Sequence, residues 1–119
     1  MGYRDLVAWQ KAMELVTELY KITKHFPKDE LYGLTSQLRR AGVSIASNLA
    51  EGHGRNSTNE FHNFIGLSRG SLSEVETQLE ISKSLSYIKR EVADELLDRS
   101  ATLGRMLTGL RSWSLQKER

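Results

Sequence analysis

A chain of 119 residues is long enough for one domain with a single core and too short for two. Apolar residues make up 39% and charged residues 27%, a balance that excludes a disordered tail, and no stretch approaches the roughly 18–20 apolar residues needed to span a bilayer. The absence of cysteine excludes disulfides and thiolate metal sites, and a net charge of +2 is too small to imply a partner by itself.

The first helix is expected over roughly residues 5–25. Leu6, Trp9, Met13, Val16, Tyr20 and Thr23 recur there at three- and four-residue steps, with Leu19 and Ile22 widening the stripe. Pro27 ends it, because proline lacks an amide hydrogen and disfavours helix at the residue before it. A second helix is expected over 29–52, its start marked by Asp29 and Glu30 at the positive end of the helix dipole. Leu31, Leu34, Leu38, Ala41, Ile45 and Leu49 form its apolar side, and Gly52 or Gly54 supplies a left-handed cap. Small residues at Gly42, Ser44, Ala46 and Ser47 let a neighbouring backbone come close.

The third helix, 58–84, carries the clearest start signal, the capping box Ser57-Thr58-Asn59-Glu60. One seam runs Phe61, Ile65, Ser68, Leu72, Val75, Leu79 and Ser82. A second runs Phe64, Leu67, Ser71, Glu74, Gln78, Ile81 and Leu85, so this helix should be covered on a wide arc. A short turn over 84–89 tucks Tyr87 and Ile88 beneath it. The fourth helix follows over 90–113, with Val92, Leu96, Leu103, Leu107 and Leu110 on one face and a frayed end from Ser114. Short connections between long helices predict an all-α, antiparallel up-down-up-down four-helix bundle spanning 1–119.

No motif for chemistry emerges. The histidines are His25, His53 and His62, and none stands three residues after a glutamate, as a di-iron bundle would require. There is no nucleophile elbow and no phosphate-cradling loop. The expectation is therefore no catalytic residues, no metal, no cofactor and no enzyme activity. With no apolar leader at Met1-Gly-Tyr-Arg-Asp-Leu, a cytoplasmic location without membrane contact is expected.

Polar residues inside the helical seams carry more information. Asn48 and Glu51 on the second helix, and Ser71, Glu74 and Gln78 on the third, could face one another, with Arg39 or Arg40 near a carboxylate. Such a set reads first as a structural polar network that fixes helix register, and second as a binding site. A catalytic pairing of Glu51 with Glu74 is a distant third.

Charge is polarised along the chain: residues 74–98 sum to −4 and residues 99–119 to +4. Arg99, Arg105 and Arg111 stand six apart, about 240° on a helix wheel, so they cannot form one stripe. Arg39, Arg40, Arg55 and Arg69 are the candidate phosphate contacts. Nucleic acid is held by accumulated charge, so an assembly would have to gather them. The alternative is a protein-binding scaffold whose charged surfaces serve subunit and partner contacts.

One further pattern spans nearly the whole chain. It begins with Leu6-x-x-Trp9-Gln10-x-Ala12 and Phe26-Pro27-x-x-Glu30-x-Tyr32-Gly33-Leu34. Gln37-Leu38-Arg39-Arg40-Ala41, Ser44-Ile45, Asn48-x-Ala50-Glu51-Gly52 and Arg55 follow. It continues through Glu60-Phe61, Phe64, Gly70-Ser71-Leu72-x-Glu74-Val75-Glu76-Thr77-Gln78-Leu79, Tyr87-Ile88 and Arg105-Met106-Leu107. In these residues the chain resembles the small proteins encoded within intervening sequences of bacterial 23S rRNA genes, which also occur as free-standing genes. It departs at Gly42, where the family usually has alanine, and at Lys89, where a small capping residue is common. The resemblance implies a four-helix bundle assembling as a homo-oligomeric ring, a pentamer, and no established activity for most free-standing members. The chain is also similar to the accessory variability determinant of diversity-generating retroelements, a basic barrel that binds nucleic acid and a reverse transcriptase. An RNA or DNA partner, structured RNA first, is the expectation these likenesses add.

Overall fold

The structure, a computed structural model, describes residues 2–118 and the side chains of residues 2–114. A 3-10 turn at Tyr3–Asp5 leads into α1 (Val7–Thr23), and a second at Lys28–Glu30 precedes α2 (Leu34–His53). Then come α3 (Thr58–Ser84) and α4 (Arg90–Glu118). Adjacent helices run antiparallel. On α2 and α3, Ser44 meets Ser71 while Gln37 meets Gln78; on α3 and α4, Lys83 meets Asp94 while Gly66 meets Arg111. The result is an all-α four-helix rod of 48 × 23 × 20 Å.

The α3 seam explains why this chain collapses as it does. All seven residues of its first stripe, Phe61 through Ser82, are buried. They close on Leu15 and Leu19 of α1, Leu38, Ile45 and Leu49 of α2, and Leu103 and Leu107 of α4. Each fully buried leucine contributes about 1.5–3 kcal/mol of transfer free energy. Gly52 sets the closest approach of α2 to α3, since a Cβ there would lie 2.4 Å from the Cβ of Phe64. Ser57 Oγ accepts from the Glu60 amide at 3.1 Å, which is the serine half of the expected capping box.

Several boundaries differ from the sequence expectation. The first helix begins at Val7 because Leu6 is extended, and it buries Ala8, Ala12, Leu15, Val16 and Leu19 rather than Met13 and Tyr20. The two alanines let α1 seat deeply, which leaves the bulkier stripe beside them at the edge. The second helix begins five residues late. The acidic residues expected at its start form the 3-10 turn instead, and Glu30 turns its carboxylate back to accept from the Leu34 amide at 3.1 Å. Gly54 ends α2 at φ −82, so no left-handed cap forms there. The left-handed residue is Ser86, φ 59, at the end of α3. Its amide donates to the Lys83 carbonyl and the Tyr87 amide to the Ser82 carbonyl, the paired bonds of a Schellman stop. The fourth helix continues past Ser114 to Glu118 because Ser114 is buried and donates to the Arg111 carbonyl at 2.8 Å.

The second α3 seam is covered only in part within one chain: Ser71 and Gln78 are buried against α2. Leu67, Ile81 and Leu85 are 56%, 43% and 50% exposed, and Glu74 is exposed between them. Among the described residues, no helix is long and apolar enough to cross a membrane.

Candidate nucleic-acid interface

The polar residues between α2 and α3 form a register device at their centre. Ser71 Oγ donates to Ser44 Oγ at 2.8 Å, and Asn48 Nδ2 donates to the Ser44 hydroxyl and carbonyl, each at 2.9 Å. Deeper in, Ser68 Oγ donates to the Ile45 carbonyl at 2.9 Å. Sliding either helix by one turn would break all the bonds between them. Gln78 reaches Gln37 at a long 3.5 Å, and its own carbonyl oxygen is buried without a partner.

The two glutamates do not join this set. Glu51 turns outward along its own helix and pairs with Arg55 at 2.7 Å. Glu74 is exposed and stands on the rim of a 340 Å³ groove with Arg40, Ser44 and Gln78. Gly52 faces Phe64, and Glu74 lies ten residues further along α3, so the two carboxylates are about 15 Å apart along the rod. They form no carboxylate pair. Among the described residues, no group of three or more histidines and carboxylates is placed to hold a metal ion.

The four candidate arginines are not brought together in one chain. Arg39 is drawn inward to the end of α1. Its Nε donates to Thr23 Oγ1 at 2.9 Å, and its guanidinium lies over the Tyr20 ring at 4.6 Å. That geometry places a cation against the negative end of the α1 dipole, a stabilising structural role. Arg55 is held between Glu51 and the face of Phe64, 5.0 Å from the ring centre. Arg40 and Arg69 are exposed, on different grooves, and have no ion pair or hydrogen bond among the described residues.

Two of the α4 arginines, which the helix wheel alone does not align into a stripe, lie close to Arg69. An open groove of about 550 Å³ between α3 and α4 is lined by Arg69 and Arg105 among small residues, Gly70, Ser73, Ala101, Gly104 and Thr108, with Glu76 at one side. Arg105 donates only to Thr102 Oγ1, at 3.1 Å. One turn further along, the Arg111 guanidinium rests on Gly66, where a Cβ would approach its Nη2 to 3.1 Å; its Nε is buried with no acceptor. His62 fixes this end of α4, its Nδ1 3.2 Å from the Arg111 carbonyl. Because that oxygen can only accept, Nδ1 carries the proton.

Antiparallel pairing concentrates this charge. The Lys83–Asp94, Leu72–Gly104 and Gly66–Arg111 contacts fold residues 79–84 against 93–98 and lay 66–73 against 104–111. Those last two segments hold Arg69, Arg105 and Arg111 and no acidic residue. Arg99 faces away, paired with Glu95 at 3.1 Å. Counting outward from the turn sets Arg105 and Arg111 opposite Leu72 and Gly66, which counting along the wheel of α4 alone cannot do.

An all-helical bundle with a polar register seam and one unpaired basic groove is the class of protein this architecture defines. The chain belongs to the 23S rRNA-intervening sequence protein family, whose model matches residues 4–109. It is also similar to the crystal structure, at 1.70 Å resolution, of a protein of unknown function from the S23 ribosomal protein family of Bacteroides thetaiotaomicron VPI-5482. The two are 23% identical with a TM-score of 0.82, over 88% of this chain and 98% of that one. At that identity the likeness carries the fold alone. No curated relative matches the chain.

Proposed function

We propose that this protein acts by binding rather than by catalysis: copies assemble into a ring, and the α3–α4 groove of each copy holds the phosphate backbone of a nucleic acid. The observation that carries this reading is the groove itself, where Arg69 and Arg105 face open space and pair with no carboxylate among the described residues. Such guanidinium groups bind phosphate by charge-assisted, bidentate hydrogen bonds. Arg40 contributes from the neighbouring groove, whereas Arg39 and Arg55 serve the bundle and the Glu51 pair.

Assembly is supported by the uncovered stripe of Leu67, Ile81 and Leu85, which a second copy would bury. Five copies and a structured RNA ligand are what the family resemblance adds. A second reading, a protein-binding scaffold, draws on the α3–α4 hairpin being acidic at its turn and basic at its far end, which suits head-to-tail contacts.

A salt titration of binding to single-stranded and duplex RNA and DNA tests this, with particle mass recorded alongside. Affinity should fall steeply with salt, and Arg69→Ala with Arg105→Ala should lower the log–log slope by about 2. Binding that ignores salt, or an unchanged slope in the double variant, would remove the nucleic-acid reading. Leu67→Glu should dissociate the oligomer.

A further inference from the structure

The α3–α4 groove is built to meet more than negative charge. Arg69, Ser73 and Glu76 stand on one face of α3 at steps of four and three, opposite Ala101, Arg105 and Thr108 of α4. Gly104 faces Leu72, where a Cβ would lie 3.5 Å from Leu72 Cδ2, which sets Arg105 between the levels of Arg69 and Glu76. Glu76 therefore stands about 6 Å beyond Arg105 along the rod and about 10 Å beyond Arg69. It is partly buried and makes no hydrogen bond or ion pair among the described residues, although two guanidinium groups share its groove. We propose that Glu76 accepts the hydrogen of a ribose 2′-hydroxyl, so that the groove takes RNA in preference to DNA.

Donors and acceptors are unevenly divided here. The walls are helical from end to end, so their backbone amides are spent within α3 and α4. The donors that remain belong to Arg69 and Arg105, and they suit a phosphate. The hydroxyls have already committed their single hydrogens: Ser73 Oγ donates to the Arg69 carbonyl at 3.2 Å and Thr108 Oγ1 to the Gly104 carbonyl at 3.0 Å. Toward a ligand both act as acceptors, and the Glu76 carboxylate can only accept. What fits is an anion with a hydroxyl donor close beside it. An RNA strand presents that pair at every nucleotide, whereas an internal deoxyribose has no hydroxyl to donate. DNA in the groove would strip water from Glu76, return no hydrogen bond and leave a phosphate nearby. A wall of acceptors rejects the analogue that lacks the donor for that reason.

The inference rests on the nucleic-acid reading, and the choice of probes separates the two. Three labelled ten-nucleotide strands are compared by anisotropy at one salt concentration. They are oligouridylate, its 2′-deoxy counterpart with the same bases, and its 2′-O-methyl counterpart, which keeps the oxygen and loses the donor. The wild type should bind the ribose strand about tenfold tighter than either of the others. Glu76→Ala should bring the three to a common affinity. Should that variant fail to fold, Glu76→Gln, of the same shape, should tighten the deoxy strand and shrink the ratio several-fold. Arg69→Ala should weaken all three alike and keep their order. Equal or reversed binding by the wild type overturns the ribose contact and leaves the phosphate groove standing. So does a 2′-O-methyl strand that binds as well as the ribose strand, or a ratio unchanged in Glu76→Gln. If no strand binds, the groove reading fails and the ribose contact falls with it.

Discussion

The two ends of the rod are built on opposite plans. At the turn end one carboxylate closes the structure: Glu30 Oε1 accepts from the Leu34 amide and Oε2 from the Tyr87 hydroxyl at 2.9 Å. The Tyr87 ring packs on Phe26 with centroids 5.4 Å apart, and Ser86 completes the α3 stop. Polar groups there are spent on joining the α1–α2 corner to the α3–α4 turn. At the open end Asn56 is exposed with no hydrogen bond among the described residues, and the buried Arg111 Nε finds no acceptor among them. Where α2 passes to α3 through four loop residues, the fold is already fixed by the Gly52–Phe64 contact and the serine bonds, and the loop is available for other work.

The sharpest way to break this contrast is Glu30→Ala. It removes the acceptor for the Leu34 amide and orphans the Tyr87 hydroxyl, and should cost about 2 kcal/mol of stability, read from the urea midpoint. Binding in the α3–α4 groove should be unaffected once the variant is folded. If binding falls in proportion to stability, the two ends are not independent. On the other end, His62→Ala should cost only about 1 kcal/mol, because Ser114 still bonds the Arg111 carbonyl. Amide exchange should quicken in the last turns of α4 and nowhere near Tyr87.

How far sequence reached follows the same division. The buried α3 stripe was readable because a strict four-and-three repeat has one interpretation over seven residues. The second stripe had two, a covered arc or a face left open, and periodicity cannot tell them apart. Glu30 was read as a helix-start acid, yet its second bond is to a residue 57 positions away, which no local rule supplies. The four chosen arginines were picked by charge, whereas availability depends on partners across the bundle: Thr23 claims Arg39, and Arg69 has none. The turn at Ser86 was hidden because serine seldom takes the left-handed conformation.

That last residue gives a smaller effect of opposite sign. Ser86→Gly relieves the cost of φ 59 and should stabilise the protein by about 0.5–1 kcal/mol, raising the melting temperature without touching the open end. A loss of stability would mean that the Ser86 side chain, rather than its backbone, holds the turn.

The smallest effect is a dependence on alkaline pH confined to the turn end. The hydrogen bond to Glu30, then burial, holds the Tyr87 phenol above its ordinary value of 10.0. Hydrogen bonds to Asp94 and then Glu80 hold Lys83 above 10.5. In both cases the folded state keeps its proton more tightly than the unfolded chain. Their contributions are therefore complete below the unfolded values and lost as pH rises through the folded ones. Urea midpoints measured from about pH 8 to about pH 11 should fall only at the top of that window. Tyr87→Phe should start lower and flatten part of the fall, because phenylalanine has no proton to lose; Lys83→Met should flatten the remainder. A fall that persists unchanged in both variants would place the alkaline sensitivity away from this turn.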